Sequence, residues 1–362
     1  MTATSLDLWG PFLVALVVAL IVTPLSIKAA PLIGAMDVPK DERRMHSKTM
    51  PRFGGIAIYA GIIISLAVFA HGDKGVVSIM VCCTLIYIVG VIDDLKNLKP
   101  LVKFGGQVIC AIALYIQGIR IEFVTNYFGD GNMVFGDVAC FITTIIWVVA
   151  ITNAVNLIDG LDGLAAGIAA ISALCIGYVA YIHGQYVTTL AMMVIAGSAM
   201  GFLPYNFHPA KTFMGDGGSQ LLGFSIAAFS IMGTVKSTTI VVVIIPALVL
   251  GLPIFDTMMA IIRRVLRRQS IGTADKEHLH HRIMRAGYGQ RRTVMVMYCI
   301  SAIMGVVAVL YSRGFVIEYL GLLAVAAMLI YVLLSDTSNR SVNARGVKIT
   351  NEKKEKKEEK IK

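Results

Sequence analysis

The sequence is poor in charged residues. Only 15% of its 362 residues are Asp, Glu, Lys or Arg, against about 25% in a typical soluble domain. Hydrophobic residues make up 57%, and the mean hydropathy is +0.76. This composition excludes an ordinary soluble protein. It predicts an all-α polytopic membrane protein that is surrounded by membrane lipid and has no nucleic-acid partner.

Cysteine is also scarce, and its pattern excludes a cysteine-based zinc site. The six cysteines lie mostly inside apolar runs and show no metal-ligand spacing. We interpret them as small buried residues. A cleavable signal peptide is not visible, because the first apolar run, Leu8–Ile27, exceeds a typical signal core and is closed by Lys28. No internal repeat is apparent.

Apolar runs long enough to cross a bilayer recur along the chain and predict about eleven transmembrane helices in one membrane domain, 1–334. The tail, 335–362, is charged and is predicted to be disordered or a frayed surface helix. The loop 118–137 alternates weakly and contains glycines, which predicts a small hairpin. The predicted spans are 8–29, 53–70, 76–92, 101–117, 138–152, 164–182, 186–203, 220–235, 239–262, 294–312 and 315–334.

Basic residues are nearly absent from one side of the predicted bundle. Eleven crossings place the termini on opposite sides, and the side rich in Lys and Arg is expected to be cytoplasmic. The N-terminus is therefore predicted outside and the C-terminus in the cytoplasm. The only basic residues that fall on the outer side are Lys74, Arg120, Lys236 and Arg313.

The stretch NAVNLIDGLDGL, 153–164, places polar groups between two apolar runs. Polar groups at a membrane boundary are costly and usually functional. An unbroken helix turns by about −60° at each three-residue step, so it cannot direct four such groups to one target. Gly160 and Gly163 predict a break there. The polar groups recur at every third position: Asn153, Asn156, Asp159 and Asp162.

Further carboxylates lie at predicted span ends on the same side. Asp93 and Asp94 end the third span, and adjacent carboxylates repel each other unless a cation is near. Oxygen ligands without a nearby cysteine or histidine pair favour Mg²⁺ over zinc. The alternatives are that the two carboxylates accept a proton or that Lys96 and Lys99 simply neutralise them.

Asp216 lies in GDGGS just before an apolar helix. Gly215, Gly217 and Gly218 would expose N–H groups at that helix N-terminus, which is a favourable place for an anion. A carboxylate beside an anion site suggests a metal with phosphate. The alternative is that Asp216 is only the N-cap of the helix.

Histidines cluster in a basic loop as EHLHHRI, where they could donate to a phosphate or a sugar or could be structural. Lys48, with Arg52 and Gly54–Gly55, is compatible with phosphate binding, and Lys48 is equally compatible with a membrane-surface position. Asp256 lies inside the ninth predicted span, where either a function or pairing with Arg263 or Arg264 is expected.

Five motifs in order resemble the polyprenyl-phosphate N-acetylhexosamine-1-phosphate transferases of glycosyltransferase family 4: MHSKTMPRFGG, DDLKNL, NAVNLIDGLDGLAAG, YNFHPAKTFMGDGGS and HLHHRI. The last is typical of the bacterial undecaprenyl-phosphate GlcNAc-1-phosphate transferase branch. The resemblance implies transfer of GlcNAc-1-phosphate from UDP-GlcNAc to undecaprenyl phosphate with Mg²⁺, or Mn²⁺ in its place, and release of UMP. It places the site at the cytoplasmic face of the bacterial inner membrane, in the first membrane step of wall teichoic acid or O-antigen type glycans, and leaves a homodimer open.

The resemblance also assigns residues. Asp93, Asp94 and Asp159 would be catalytic, with Asp93 a base toward the lipid phosphate, and Asp216 with Asp94 would bind the metal. One departure is Gly217, where the family often has Thr or Ser, so a hydroxyl that could support the metal is missing. Substrate would be bound by Lys48, Asn156, Asp162, Asn206, Phe213, His278, His280, His281 and Arg282.

Two alternatives remain open at this point. A phospho-N-acetylmuramoyl-pentapeptide transferase usually has three histidines followed by Phe, a run that is absent here. A secondary transporter would place its ionisable groups near the bilayer midplane in repeated halves.

Overall fold

The computed structural model describes residues 5–37, 49–125, 132–235, 246–266, 278–285, 287–315 and 317–328. The principal helices are α1 (Ser5–Ile33), α2 (Gly55–Phe69), α3 (Lys74–Lys96), α4 (Pro100–Ile116), α5 (Asp137–Leu157), α6 (Leu164–Ile182), α7 (Tyr186–Asn206), α8 (Gly215–Val235), α9 (Gly251–Leu266), α10 (Leu279–Arg285), α11 (Gln290–Ser312) and α12 (Ile317–Met328).

The helices confirm a multi-pass all-α membrane protein. Among the described residues, 6 helices are long and apolar enough to cross a bilayer: α1, α3, α5, α6, α7 and α11. Helices α2, α4 and α12 are apolar but shorter. The total of eleven spans stays a prediction, since parts of the predicted spans 239–262 and 315–334 lie outside the described residues. The orientation, with the N-terminus outside and the C-terminus in the cytoplasm, also stays a prediction.

Helix α8 is the centre of the bundle. It contacts α2, α3, α5, α6 and α7, while α1 packs along α7 and α2 on the outside. Large side chains of α8, such as Phe224 and Phe229, are fully buried. The α1–α7 contact depends on small residues, as is usual between membrane helices. A Cβ at Gly197 or Gly201 would lie 2.3 Å from a carbonyl oxygen of α1.

Two small antiparallel sheets complete the fold. The predicted hairpin is confirmed, with β3 (Phe123–Thr125) paired to β4 (Asn132–Val134) between α4 and α5. The second sheet pairs β1 (Met36–Asp37) with β2 (Met50–Pro51) and was not predicted. It fixes the chain that leads into α2, because Arg52 N–H also donates to the Ala35 carbonyl at 2.9 Å.

The end of the bundle opposite the β3–β4 hairpin collects the polar motifs. There α3, α5 and α7 end and α2, α4, α6 and α8 begin. Helix α3 stops because Asn97 adopts a left-handed conformation (φ 49°) and its N–H caps the Asp93 carbonyl. Pro100 then starts α4. This short turn keeps the two aspartates of α3 beside the first turn of α4.

Candidate active site

Asp94 binds the N-terminus of α8. Its Oδ1 accepts the Asp216 N–H at 2.8 Å and its Oδ2 accepts the Gly217 N–H at 3.1 Å. A carboxylate at a helix N-terminus satisfies orphan donors and interacts favourably with the helix dipole. The expectation that these N–H groups seat a ligand anion is therefore wrong in this structure, because a side chain of the protein already occupies them.

The glycines at the start of α8 allow this close approach to α3. Gly215 has φ +70°, and a Cβ there would lie 2.3 Å from Asp94 Oδ2. A Cβ at Gly217 would point toward Val91 Cγ2 (3.1 Å) and Tyr87 Cε2 (3.2 Å) of α3. A Thr or Ser at this position would thus direct its β-carbon into the helix contact. The missing hydroxyl at Gly217 is therefore no argument against a metal in the acidic cluster.

Arg52 links two of the acids. Its Nε lies 2.9 Å from Asp94 Oδ1, and an Nη lies 3.2 Å from Asp216 Oδ2. The segment that carries Arg52 runs along the loop before α8, where Phe213 N–H donates to the Pro51 carbonyl and Gly54 N–H to the Phe213 carbonyl, both at 2.9 Å. These backbone contacts bring a residue from the start of α2 to the start of α8.

Lys103 links Asp93 to Asp216. Its Nζ contacts Asp93 Oδ2 and lies 3.2 Å from Asp216 Oδ2. Asp93 is buried, and its Oδ1 accepts the Leu98 N–H at 2.7 Å. Sequence analysis missed Lys103 as a site residue. The signal was present, since a lysine inside an apolar predicted span usually marks a function.

Asn156 joins the cluster from α5. Its amide donates to Asp216 Oδ1 at 2.8 Å and to Ser219 Oγ at 2.7 Å. Helix α5 ends at Leu157 and α6 begins at Leu164, and Gly163 between them has φ +81°. The predicted break is confirmed. The break explains how the four polar residues at every third position can lie in one region. Asn153 and Asn156 are on α5, whereas Asp159 and Asp162 are in the turn that follows it.

The carboxylate of Asp159 differs from the other three acids in its surroundings. No hydrogen bond or ion pair reaches it from the described residues, although Asp216, Arg52 and Asp94 are close enough to act on its charge. Withdrawal from water, with the negative charge of Asp216, raises the pKa of Asp159 to about 7. It is therefore the acidic group with free oxygen atoms for a cation.

The turn that carries Asp159 is held from several sides. Asn206 is buried, accepts the Gly163 N–H at 3.1 Å and donates to the Thr212 carbonyl at 3.0 Å. Asp162 accepts from His208 Nδ1 at 2.7 Å. The contacts of Asn206 and Asp162 hold the turn against the loop before α8, where Phe213 is half-buried. Direct contact of these three side chains with substrate stays a prediction.

The histidine loop reaches the same turn. His278 Nδ1 lies 2.9 Å from Asp256 Oδ2, and the Leu279 N–H donates to Asp256 Oδ1 at 3.0 Å. Pairing with Arg263 or Arg264 was one of two alternatives for Asp256, and the contacts described here join both of its oxygens to the histidine loop. The loop is thereby anchored to α9.

His280 of this loop lies beside Gly160, which follows Asp159 in the chain. It is 1% exposed, and neither ring nitrogen has a hydrogen-bond partner among the described residues. Its Nε2 lies 2.9 Å from where a Cβ on Gly160 would stand. Burial, with the neighbouring His281, lowers the pKa of His280 to about 3, so the ring is neutral at physiological pH. Arg282 follows on α10, and Lys48 lies outside the described residues.

The charges of this cluster favour a divalent cation. Within the described part of the chain, Asp93, Asp94, Asp159 and Asp216 face two cationic side chains, Arg52 and Lys103. The described residues contain no preformed set of three acidic, histidine or cysteine ligands. Mg²⁺ commonly takes one or two carboxylates and completes its shell with water and substrate phosphates. The free carboxylate of Asp159 beside Asp216 fits that mode of binding.

Comparison with known proteins gives the family. The family model described as "Glycosyl transferase family 4" matches residues 76–234, which include all four acids. The chain is 40% identical over 322 residues to the probable undecaprenyl-phosphate N-acetylglucosaminyl 1-phosphate transferase of Bacillus subtilis (strain 168), covering 89% of each chain. This chain belongs to glycosyl transferase family 4. The resemblance drawn from the five motifs is thus confirmed.

Two other relatives of the family carry related names. The chain is 33% identical to the decaprenyl-phosphate N-acetylglucosaminephosphotransferase of Mycolicibacterium smegmatis, over 73% of this chain and 72% of the relative. It is 29% identical to the undecaprenyl-phosphate alpha-N-acetylglucosaminyl 1-phosphate transferase of Escherichia coli (strain K12), over 85% and 83%. The matched family region runs from α3 to α8, whereas Arg52 and the histidine loop lie outside it.

Proposed function

We propose that this protein transfers GlcNAc-1-phosphate from UDP-GlcNAc to undecaprenyl phosphate. An oxygen of the lipid phosphate attacks the phosphorus that bears GlcNAc, the phosphoanhydride bond breaks, and UMP leaves with its oxygen. The products are undecaprenyl-diphospho-GlcNAc and UMP. The names of the relatives support the acceptor and the transferred group. The observation that carries the proposal is the meeting of four aspartates with Arg52 and Lys103 at one end of the bundle.

Asp216 and Asp159 are the residues we propose for Mg²⁺, with Mn²⁺ as a substitute of similar ligand preference. When bound, the ion would neutralise the charge that develops on the diphosphate as UMP leaves. Asp94 was expected to be a second metal ligand. Both oxygens of Asp94 accept backbone N–H groups of α8, whereas the partners of Asp216 are side chains, so we assign Asp94 the task of holding Asp216 in place.

Arg52 and Lys103 are the cations nearest to these acids, and we propose that they face the diphosphate of the donor. Asp93 holds Lys103 and the turn before α4. A general base is not needed, because a phosphate monoester is already largely ionised at neutral pH. We therefore propose positioning rather than proton abstraction for Asp93.

The remaining residues would bind the nucleotide and sugar. His280 offers neutral ring nitrogens next to the Asp159 turn, and His281 packs beside it with ring centroids 4.3 Å apart. His278, through Asp256, holds this loop in place. Lys48, Arg282 and Phe213 stay candidates for phosphate, sugar and base contacts.

The charge asymmetry of the sequence supports a site that faces the cytoplasm, in the cytoplasmic membrane of a bacterium. Undecaprenyl-linked GlcNAc made there would serve as the first membrane intermediate of a cell-envelope glycan, of the wall teichoic acid or O-antigen type. A homodimer is compatible with the lipid-facing helices, and a size measurement in detergent would test it.

Transfer of label tests the reaction. Purified protein with undecaprenyl phosphate, Mg²⁺ and UDP-[¹⁴C]GlcNAc should give butanol-extractable label and one UMP per labelled lipid. A panel of UDP-sugars, including UDP-N-acetylmuramoyl-pentapeptide, identifies the donor. Labelled lipid formed only from the muramoyl donor would favour the peptidoglycan alternative. Absence of lipid product from every donor would overturn the proposal, and a secondary transporter would then be tested by uptake.

A further inference from the structure

Three amide side chains, two of them buried, form a layer directly beneath the acidic cluster. Gln107 of α4 and Gln220 of α8 are 1% and 0% exposed, and Asn153 of α5 is partly buried beside them. Amide groups at this depth are costly unless hydrogen bonds satisfy them. Their presence among apolar helices therefore calls for a function.

The three amides bind one another. Asn153 Nδ2 donates to Gln107 Oε1 at 2.5 Å, and Gln107 Nε2 lies 3.5 Å from Asn153 Oδ1, so the two amides face each other reciprocally. Gln107 Nε2 also donates to Gln220 Oε1 at 3.2 Å. Hydrogen bonds between side chains of different membrane helices fix how those helices are rotated and how deep they sit.

Each amide lies one helical turn from a residue of the site. Gln107 follows Lys103 by four positions on α4, and Gln220 follows Asp216 by four positions on α8. Asn153 precedes Asn156 by three positions on α5. Residues three or four apart share a helix face. A bond between two amides therefore sets the separation of the site residues above them.

Neutral amides suit this task chemically. The cluster above already has more acids than bases, and another charged group would alter its affinity for a cation or a phosphate. An amide supplies both a donor and an acceptor without adding charge. Gln220 Nε2 has no hydrogen-bond partner among the described residues, so Gln220 contributes to the layer as an acceptor.

We infer that Gln107, Asn153 and Gln220 act as one positioning layer, which sets the distances among Lys103, Asn156 and Asp216 for the transfer reaction. The activity part of this inference rests on the proposed function. The metal-binding part does not, because a cation that binds the folded protein raises its apparent Tm whatever reaction follows.

The test replaces amides by apolar groups of similar size. We expect Gln107→Leu to lower kcat about 10-fold or more and to raise the Mg²⁺ concentration for half-maximal activity several-fold, with a smaller change in KM for UDP-GlcNAc. The Mg²⁺-induced rise in Tm should shrink in parallel. Ser225→Ala is the matched control, because Ser225 is fully buried in α8 and, among the residues that the structure describes, its hydroxyl bonds only to the Leu222 carbonyl of its own helix. It should behave like the wild type.

Cooperation within the layer is tested by a double-mutant cycle. If Gln107 and Asn153 act as a unit, Gln107→Leu combined with Asn153→Leu should lose little more activity than either single variant. Losses that multiply would overturn the idea of one layer. If Gln107→Leu does not fold, Gln220→Met takes its place in the activity and Tm measurements, because it removes a single hydrogen-bond acceptor from the layer.

The outcomes separate the two proposals. Wild-type kcat, Mg²⁺ requirement and Tm shift in both Gln107→Leu and Gln220→Met would overturn the positioning layer and leave the transferase intact. If the wild-type protein shows no transfer activity, the proposed function is overturned. The positioning layer is then still tested by comparing the Mg²⁺-induced rise in Tm of the amide variants with that of the wild type.

Discussion

Asp159 is the acid of the cluster whose ionisation costs the folded protein stability. Its pKa of about 7 in the folded protein lies above the ordinary value of 3.8, so the folded state binds its proton more tightly than the unfolded state does. Its ionisation therefore lowers the free energy of unfolding progressively as the pH rises from about 4 to 7. Unpaired acids of this kind are common where a binding site needs a free ligand.

Asp159→Asn should consequently raise the apparent Tm at pH 8 by a few degrees, since removing the charge is worth about 1–3 kcal/mol. The difference should vanish near pH 4, where both proteins are neutral at this position. Thermal unfolding in detergent with a chelator measures it. Adding Mg²⁺ should narrow the difference at pH 8 by stabilising the wild type more. A destabilised Asp159→Asn at pH 8 would contradict the account.

Arg52 acts through its shape as well as its charge. Its Nε and an Nη contact two different carboxylates, a geometry that a lysine cannot reproduce. We expect Arg52→Lys to lower kcat/KM by roughly 10- to 100-fold with little change in Tm. Arg120→Lys is the control, because Arg120 pairs with Glu122 near the β3–β4 hairpin, where it is exposed. Equal effects of the two substitutions would argue against a role for Arg52 in the site.

Sequence analysis found the acids but not which residues pair with them. Asp93, Asp94, Asp159 and Asp216 are visible because each is an acid at an apolar boundary, which is a local signal. The bridges made by Arg52 and Lys103 join positions up to 164 apart in the chain. No local pattern encodes such a pairing. The same reason explains why the N-terminus of α8 seemed free for a ligand until the structure placed Asp94 on it.

At the scale of elements, the contact between α3 and α8 determines the shape of the site. A Cβ on Gly90 would lie 2.5 Å from Gly217 Cα and 2.7 Å from the Asp216 carbonyl oxygen. These are backbone atoms, so the two helices must separate to accept a side chain. That separation would loosen the bonds from Asp94 to the N–H groups of Asp216 and Gly217.

Gly90→Ala should therefore lower both Tm and kcat, the Tm by several degrees, as overpacking of a tight core costs about 1–3 kcal/mol. Gly105→Ala is the matched control on α4. A Cβ there meets nothing within 4 Å, and alanine favours the helix over glycine. It should leave Tm unchanged or slightly higher. Unaltered activity in Gly90→Ala would show that the α3–α8 contact is looser than described.

The elements themselves follow closely from the sequence. The break between α5 and α6 and the β3–β4 hairpin are confirmed, because glycines and changes in periodicity mark them locally. The β1–β2 pair was not predicted, since strands of two residues show no periodic pattern in the sequence. The amide layer was missed for another reason: Gln107 and Gln220 are single polar residues within apolar helices, and their pairing exists only in three dimensions.

At the scale of the whole molecule, every polar motif that the structure describes meets at the end of the bundle away from the hairpin. The excess of Lys and Arg predicts that this end faces the cytoplasm. Cysteines introduced at Ser47 and Thr273, in a background without native cysteines, should react with a membrane-impermeant maleimide only from the cytoplasmic side. A cysteine at Gly129, in the predicted outer loop, should react only from outside. The reverse pattern would invert the orientation.

The family membership and the cluster geometry lead to the same conclusion about chemistry. Relatives named for moving N-acetylglucosamine 1-phosphate to a polyprenyl phosphate share the region that carries the four acids. Asp216 is the acid to which Arg52, Lys103 and Asn156 all bind. If one site carries out the transfer, this residue is its centre.

The most direct measurement is the rate of labelled lipid formation from UDP-[¹⁴C]GlcNAc by Asp216→Asn, compared with wild type and with Asp137→Asn, an exposed acid near the hairpin end. Loss of a central metal ligand is expected to cost about 4 kcal/mol of transition-state stabilisation, or roughly a thousandfold in rate. The account predicts that loss for Asp216→Asn in a folded protein and a wild-type rate for Asp137→Asn. A wild-type rate in Asp216→Asn would contradict it.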